Sequence, residues 1–267
     1  MSPAARNSVT KQVTAQLVAL GGVPLVRAGD DLAALTLEAL SYSGVQLADG
    51  DILIIAQKVV SKAEGRLVRL ATVAPSTRAE ECAREVGKDP RAVELILREA
   101  SEVVRKQADL LVVEHRLGFV TANAGIDMSN IEHEGEDDTV LLLPVDPDTS
   151  CKRLRMTLEQ RTGVGVGVIM NDSHGRAFRN GVVGVAIGVS GVAALQNLRG
   201  QPDLFGRALR ATEVAVADEL AGAASLLMGQ ADEGRPIVLA RGFPLVRREA
   251  SASELYRPKH MDAFRRP

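Results

Sequence analysis

The stretch "IMNDSHGRAFRNG", residues 169–181, sets an aspartate, a serine and a histidine side by side in a chain with only four histidines. A hydrolase relay needs Ser bonded to His and His bonded to a carboxylate. Neighbours on an extended chain point to opposite faces, and on a helix they splay by about 100°. Contiguous Asp172-Ser173-His174 is therefore badly ordered for a relay, and no G-x-S-x-G elbow occurs. An apolar strand ending in Asp-Ser is a better source of hard oxygen ligands for Mg²⁺ or Mn²⁺. Gly175, Arg176, Arg179 and Asn180 then offer N–H groups and guanidinium forks to phosphate. A strand-to-turn cap with solvated arginines accounts for the same residues equally well.

"ANAGIDMSN" (122–130) is a second such turn: Gly125 permits close backbone approach, and Asp127 and Asn130 are candidate ligands. Alone it is more often an Asx-type turn. Two Asp-bearing turns that end apolar strands strengthen each other, because two metal ions on a phosphate chain need several carboxylates. "QKVVSKAEGR" (57–66) places Lys58 and Lys62 around a strand end, as phosphate partners or as a solvated basic loop. In "MGQADEGRP" (228–236) a helix C-cap explains Gly229 but not the dense polar run after it. "GVPLVRAGDDL" (22–32) reads as a turn, and no Walker A motif occurs anywhere. His115 belongs within a sheet, His133 and His260 lie in exposed stretches, and His174 is a neighbour of the ligands. No side chain is assigned as a catalytic acid, base or nucleophile.

The elements that must position these turns follow from pattern. Strand-like segments occur at 51–61, 110–123, 139–144, 165–172 and 181–191, rich in β-branched residues and bounded by Gly, Pro or Asp. Helices are expected from a capping box at Thr77 to Glu80, from Asp89-Pro90 through 105, over 149–163 and over 206–230. The mixture lacks a strict βαβα rhythm, which points to α+β with irregular mixed sheets.

Of the 267 residues, 46% are hydrophobic and 25% charged, with a net charge of −2, so no basic surplus argues for nucleic acid. Aromatics are scarce at 3%, leaving an aliphatic core and no base-stacking platform. Cys82 and Cys151 match no zinc or redox spacing and suit a reducing cytosol. No signal peptide or membrane-spanning run is present, so a cytoplasmic protein is expected. One domain over residues 1–250 is expected, with 251–267 an appended, mobile extension. The acidic stretch 132–138 is expected to be a solvated loop.

Taken together, "GDILIIAQKVVSKAEGRL", "VEHRLGFVTANAGIDMSN", "LLLPVDPD", "DSHGRAFRNGVVGVAIGVSG", "DLFGR" and "MGQADEGRP" resemble the coenzyme F420-0:L-glutamate ligase family in its stand-alone form. The match runs in order from about Val23 to Arg241, and the strings are long and unusual. The resemblance implies that GTP phosphorylates the terminal carboxylate of a deazaflavin precursor. The amine of L-glutamate then attacks the acyl phosphate, and further γ-linked glutamates can follow. It implies two divalent cations, Mg²⁺ or Mn²⁺, with potassium as a further ion. Asp127 and Asp172 match ligands of the first cation, Ser173 and Gln230 ligands of the second. Matching nucleotide contacts are Val23, Pro24, Leu25, Val26, Gln57, Lys62 and Asn130, and the run Met228, Gly229, Gln230, Ala231, Asp232, Glu233, Gly234, Arg235. Many relatives carry Ser or Thr where Asn171 stands and Ser where Gln57 stands. The implied assembly is an intertwined homodimer. A related ligase with another acid or amino acid, and a non-enzymatic nucleotide-binding protein, are the alternatives.

Overall fold

The computed structural model describes residues 12–132 and 138–262. His133 and most of the acidic stretch lie outside them. Strand β1 (Gln16–Ala19) precedes helix α1 (Leu32–Tyr42), and β2 (Ile52–Ala56) runs directly into α2 (Gln57–Ala63). A second lobe follows, with β3 (Leu67–Arg69), α3 (Thr77–Val86), α4 (Pro90–Glu99), β4 (Ala100–Gln107), β5 (Leu110–His115), β6 (Val120–Ala122) and β7 (Thr139–Leu141). The chain returns through α5 (Pro147–Thr162), β8 (Gly167–Arg176), β9 (Arg179–Ser190), β10 (Gln196–Asn197) and β11 (Glu213–Val214). It closes with α6 (Val216–Met228) and β12 (Ile237–Arg241). The expected mixed α+β class holds.

The main sheet has the order β1-β12-β2-β8-β9. Only β2 and β8 run parallel; the other pairs are antiparallel. Its residues alternate cleanly between two cores. Leu53, Ile55, Val168 and Met170 face α1, α2 and α5, whereas Ile52, Ile54 and Ile169 face α6. A strand covered on both sides reads as an unbroken apolar run, which is why "ILII" shows no period-2 signal. The N–H groups of Ala186 and Val189 on edge strand β9 are capped by Asp218 and Asp148, each at 2.8 Å. Such capping blunts a sheet edge.

Several boundaries differ from the sequence pattern, among them the expected strand 110–123, which breaks into β5 and β6. The apolar run at 51–61 leaves the sheet at Ala56 and becomes α2, because Val60 turns inward at helical spacing. The expected helix 89–105 stops at Glu99; "ASEVVRKQ" instead pairs with β5, suiting its adjacent valines. The expected helix 206–230 begins only at Val216. Before it, residues 197–214 fold back on themselves through β10–β11 and a Pro202–Ala208 bridge, held by Asp203 accepting from the N–H groups of Phe205 and Arg207. Ser76, not Thr77, caps α3, and its hydroxyl is shared with Glu94 rather than Glu80. Helix α1, capped by Asp31 on the N–H groups of Ala33 and Ala34, lies where only a turn was expected at its start.

Both cysteines are free and buried. Among the described residues no helix is long and apolar enough to cross a membrane. Residues 251–256 dock on the body: Ser251 Oγ donates to Asp148 Oδ2 at 2.7 Å, and Tyr256 packs on the α5-side core.

The lobes are joined by Glu99, at the end of α4. It pairs with Arg66 and Arg116, each at 2.9 Å, and lies 3.4 Å from His115 Nε2. Burial raises its pKa, but the bonds from His115 and Arg116 and the charges of Arg116 and Arg66 outweigh burial and leave it at about 2. A lowered carboxylate pKa stabilises the fold above the unfolded-state value, and that stability is lost as pH falls through the folded one. Glu99→Gln should therefore cost on the order of 2–3 kcal/mol at pH 7. In urea titrations the gap should close as pH falls from about 4.5 towards 2.

Candidate active site

One edge of the main sheet collects the turns singled out above. β1 and β2 end there, β12 begins there, and β8 parts from β2 there and runs on to Arg176, as the registers Ala19–Val238, Ile55–Ile237 and Ala56–Asn171 require. Ligands of open sheets bind outside the carboxyl ends of parallel strands. Here that crevice lies between Gln57, immediately after β2, and Asp172, one residue beyond Asn171 on β8. Both side chains are buried.

Asp127 reaches this edge from the second lobe. Its N–H and carbonyl bond the carbonyl and N–H of Leu141, at 3.0 and 2.9 Å, and β7 in turn pairs with β3. The loop leading to it is held in an uncommon backbone conformation. Asn123, Ala124 and Gly125 all have positive φ, as does Asn130. For residues with a side chain this costs free energy, and such conformations concentrate at functional sites. Asn123 Oδ1 accepts from Leu111 N–H, and a Cβ on Gly125 would lie 2.8 Å from Leu143 Cδ1, so packing holds the loop.

The Asp127 carboxylate accepts from Gln57 Nε2 and pairs with Lys58 Nζ at 2.6 Å. Ser61 Oγ donates to Gln57 Oε1 and so fixes the Gln57 amide. Lys62 Nζ donates to the Asn130 carbonyl at 2.6 Å, and Asn130 Nδ2 to the Ala231 carbonyl at 2.9 Å. Gln57 and Lys58 thus hold Asp127, Lys62 and Asn130 form a second chain to the 228–235 turn, and the two meet where Lys58 Nζ also donates to Ser129 Oγ at 3.2 Å, next to Asn130. Burial raises the Asp127 pKa, Lys58 opposes it, and the Asp172 charge adds to the rise. Lys62 is lowered by burial and then by Lys58.

The other expected residues stand as follows. Val23 to Val26 follows β1 on the same edge; Val23 packs on the core while Leu25 is exposed. Gln230 turns its amide to Ser225 Oγ at 3.0 Å, and Ser173 donates its N–H to Asp172 Oδ1 at 2.9 Å. Gly229 has φ 76° and ψ −176°, a region open essentially to glycine alone, and a Cβ there would fall 2.0 Å from Glu233 Cδ. Glu233 in turn accepts from Ala231 N–H. Asp232, Gly234 and Arg235 are exposed on the same turn. Arg176 Nη1 is buried with no partner among the described residues. Lys58 as the ion-pair partner of Asp127 was not foreseen. Nor was contact between His174 Nε2 and Asp172 Oδ2 at 2.9 Å, although i, i+2 spacing on a strand is its signal.

Comparison with known proteins bears on this edge. A family described as F420-0:Gamma-glutamyl ligase matches residues 22–242. The chain belongs to that family. The coenzyme F420:L-glutamate ligase of Methanothermobacter thermautotrophicus is 49% identical over 93% of this chain and 98% of its own length. Proteins of the same name from Methanopyrus kandleri and Methanocaldococcus jannaschii are 52% and 47% identical, over 83% and 81% of this chain and 85% of each relative. The matched span contains every candidate site residue of this ligase-family chain.

The donors at the edge suit a hard divalent cation. Two neighbouring carboxylates, one destabilised in its ionised form, call for positive charge, and the Lys58 ammonium meets that demand at 2.6 Å. Among the described residues no three His, Cys, Asp or Glu side chains gather as a metal cluster. A divalent cation held here would complete its shell with neutral oxygens and phosphate, as Mg²⁺ commonly does. A raised carboxylate pKa contributes stability at low pH that is lost as pH rises through the folded value. Asp127→Asn should therefore melt close to wild type below the usual carboxylate range. It should gain over wild type as pH climbs past the raised Asp127 pKa, read by calorimetry without added metal.

Proposed function

We propose that this chain joins L-glutamate through an amide bond to the terminal carboxylate of the deazaflavin precursor coenzyme F420-0, driven by GTP. The observation that carries this is the gathering, at the end of a parallel strand pair, of Asp127, under the charge of Asp172 and paired with Lys58, and of the Lys62–Asn130–Ala231 chain that Lys58 meets at Ser129. Acid–amine ligation asks for positioning and charge neutralisation rather than a covalent nucleophile. An edge rich in carboxylates, amides and lysines, with the thiols of Cys82 and Cys151 buried, suits that demand.

In the proposed complex the phosphates lie against the 228–235 turn, with Lys62 and Asn130 beside them. Lys58 exchanges Asp127 for a phosphate oxygen, freeing the carboxylate. Gln57, fixed by Ser61, keeps Asp127 oriented. Asp127 and Asp172 would hold the first divalent cation, and Ser173 and Gln230 the second. Bound there, Mg²⁺ or Mn²⁺ supplies charge neutralisation for transfer of the terminal phosphoryl group to the substrate carboxylate. The glutamate amine then displaces phosphate from the acyl phosphate, leaving GDP, phosphate and the amide. Potassium is a further candidate ion, and further glutamates extend the product through γ-linkages.

Purified protein with GTP, Mn²⁺, glutamate and F420-0 should yield glutamylated product by mass spectrometry. Asp127→Ala and Asp172→Ala should each lower turnover at least ~100-fold with the fold retained. Release of phosphate that needs glutamate but not the deazaflavin would point to a different acid substrate. Activity undiminished in both variants would favour a non-catalytic nucleotide binder.

We further infer a homodimer. Leu204 and Phe205 on the 197–214 excursion and Phe178 at the β8–β9 tip are at least 90% exposed, the kind of apolar surface that association covers. The double variant Leu204→Glu, Phe205→Glu should shift wild-type dimer to monomer in light scattering.

A further inference from the structure

Asp172 has both carboxylate oxygens engaged by its own strand. Oδ1 accepts from the Ser173 N–H at 2.9 Å, and Oδ2 lies 2.9 Å from His174 Nε2. Rotation about the terminal torsion of an aspartate is otherwise broad. Here it cannot occur without breaking one of the two contacts. His174 is itself held: its side chain is 13% exposed and its ring lies 5.5 Å from that of Phe119 at 40°. Phe119 is stacked on His115 at 5.3 Å and meets Tyr256 at 5.5 Å. The second carboxylate that senses His174 is Asp218, which is fixed to Ala186 N–H. A ring placed for packing alone would have no need to direct a nitrogen at a buried carboxylate.

We propose that His174 is a positioning residue, donating its Nε2–H to Asp172 Oδ2 so that the carboxylate presents its remaining lone pairs to a divalent cation. This rests on the assignment of Asp172 as a cation ligand. Partners one shell out from a metal typically set its affinity by 10–100-fold. The seat of the effect is the aromatic cluster, which immobilises the imidazole from behind while Asp172 takes the proton donor in front.

The test is Mn²⁺ titration calorimetry on the full chain without nucleotide, for wild type, Asp172→Ala, His174→Phe and His174→Gln. Phenylalanine keeps the ring packing and removes the donor; glutamine carries an amide nitrogen at the same reach. Expected are weaker Mn²⁺ binding by ~10–100-fold in His174→Phe and recovery to within about threefold of wild type in His174→Gln. Melting temperatures report folding, and His174→Met replaces the phenylalanine variant if that one melts early. Wild-type Mn²⁺ affinity in His174→Phe, with Asp172→Ala unable to bind, overturns the role of His174 and leaves the assignment of Asp172 standing. Absence of Mn²⁺ binding by the wild type overturns both.

Discussion

The parallel pairing of β2 with β8 is the constraint on which the site depends. Its register sets Ala56 against Asn171, so the next residue on each strand, Gln57 and Asp172, must emerge side by side at one edge. The flanking strands are antiparallel to this pair or to its neighbour, so the turns after β1 and before β12 come to the same edge. Slipping β8 by one residue would turn Asp172 to the α6 face and Ser173 to the other, exchanging the polar groups on offer. The buried runs Ile52–Ile55 and Val168–Met170, packed on both faces, forbid that slip.

Around this pair the protein holds groups in conditions they would not choose alone. Burial and the Asp172 charge both disfavour the ionised form of Asp127, and its approach loop carries three successive residues at positive φ. These costs are borne by packing elsewhere: the Leu141 bridge, the Leu143 contact at Gly125, and the Glu99 cluster that ties Arg66 and Arg116 together. Lys58 offsets part of the charge through its ion pair with Asp127. On the proposed function, a bound cation would relieve part of that cost.

Much of this was legible in the residues. The Asp89-Pro90 helix start and the beginning of the core strand at Thr139 stand where pattern puts them, whereas Asp172 lies inside β8, which runs on to Arg176, and Asp127 sits on an isolated bridge to Leu141 rather than at a strand end. Three things hid from pattern. The switch from strand to helix at Ala56 occurs without Gly or Pro, inside one apolar run. The hairpin-like excursion before α6 carries helix-favouring residues, and its backbone pairs across the excursion itself instead of at helical spacing. The Lys58–Asp127 pair joins residues 69 apart in number, which no local spacing can announce. The family strings tied the motifs to a reaction, whereas the site's connections came from register and burial.

The most direct measurement is anomalous diffraction from crystals of the chain grown with Mn²⁺ and a non-hydrolysable GTP analogue. Expected is an Mn²⁺ peak at the Asp127 and Asp172 carboxylates, with Lys58 drawn away from Asp127 and the phosphates against the 228–235 turn. A nucleotide bound away from this edge, or Mn²⁺ peaks elsewhere with the Lys58–Asp127 pair intact, would contradict it.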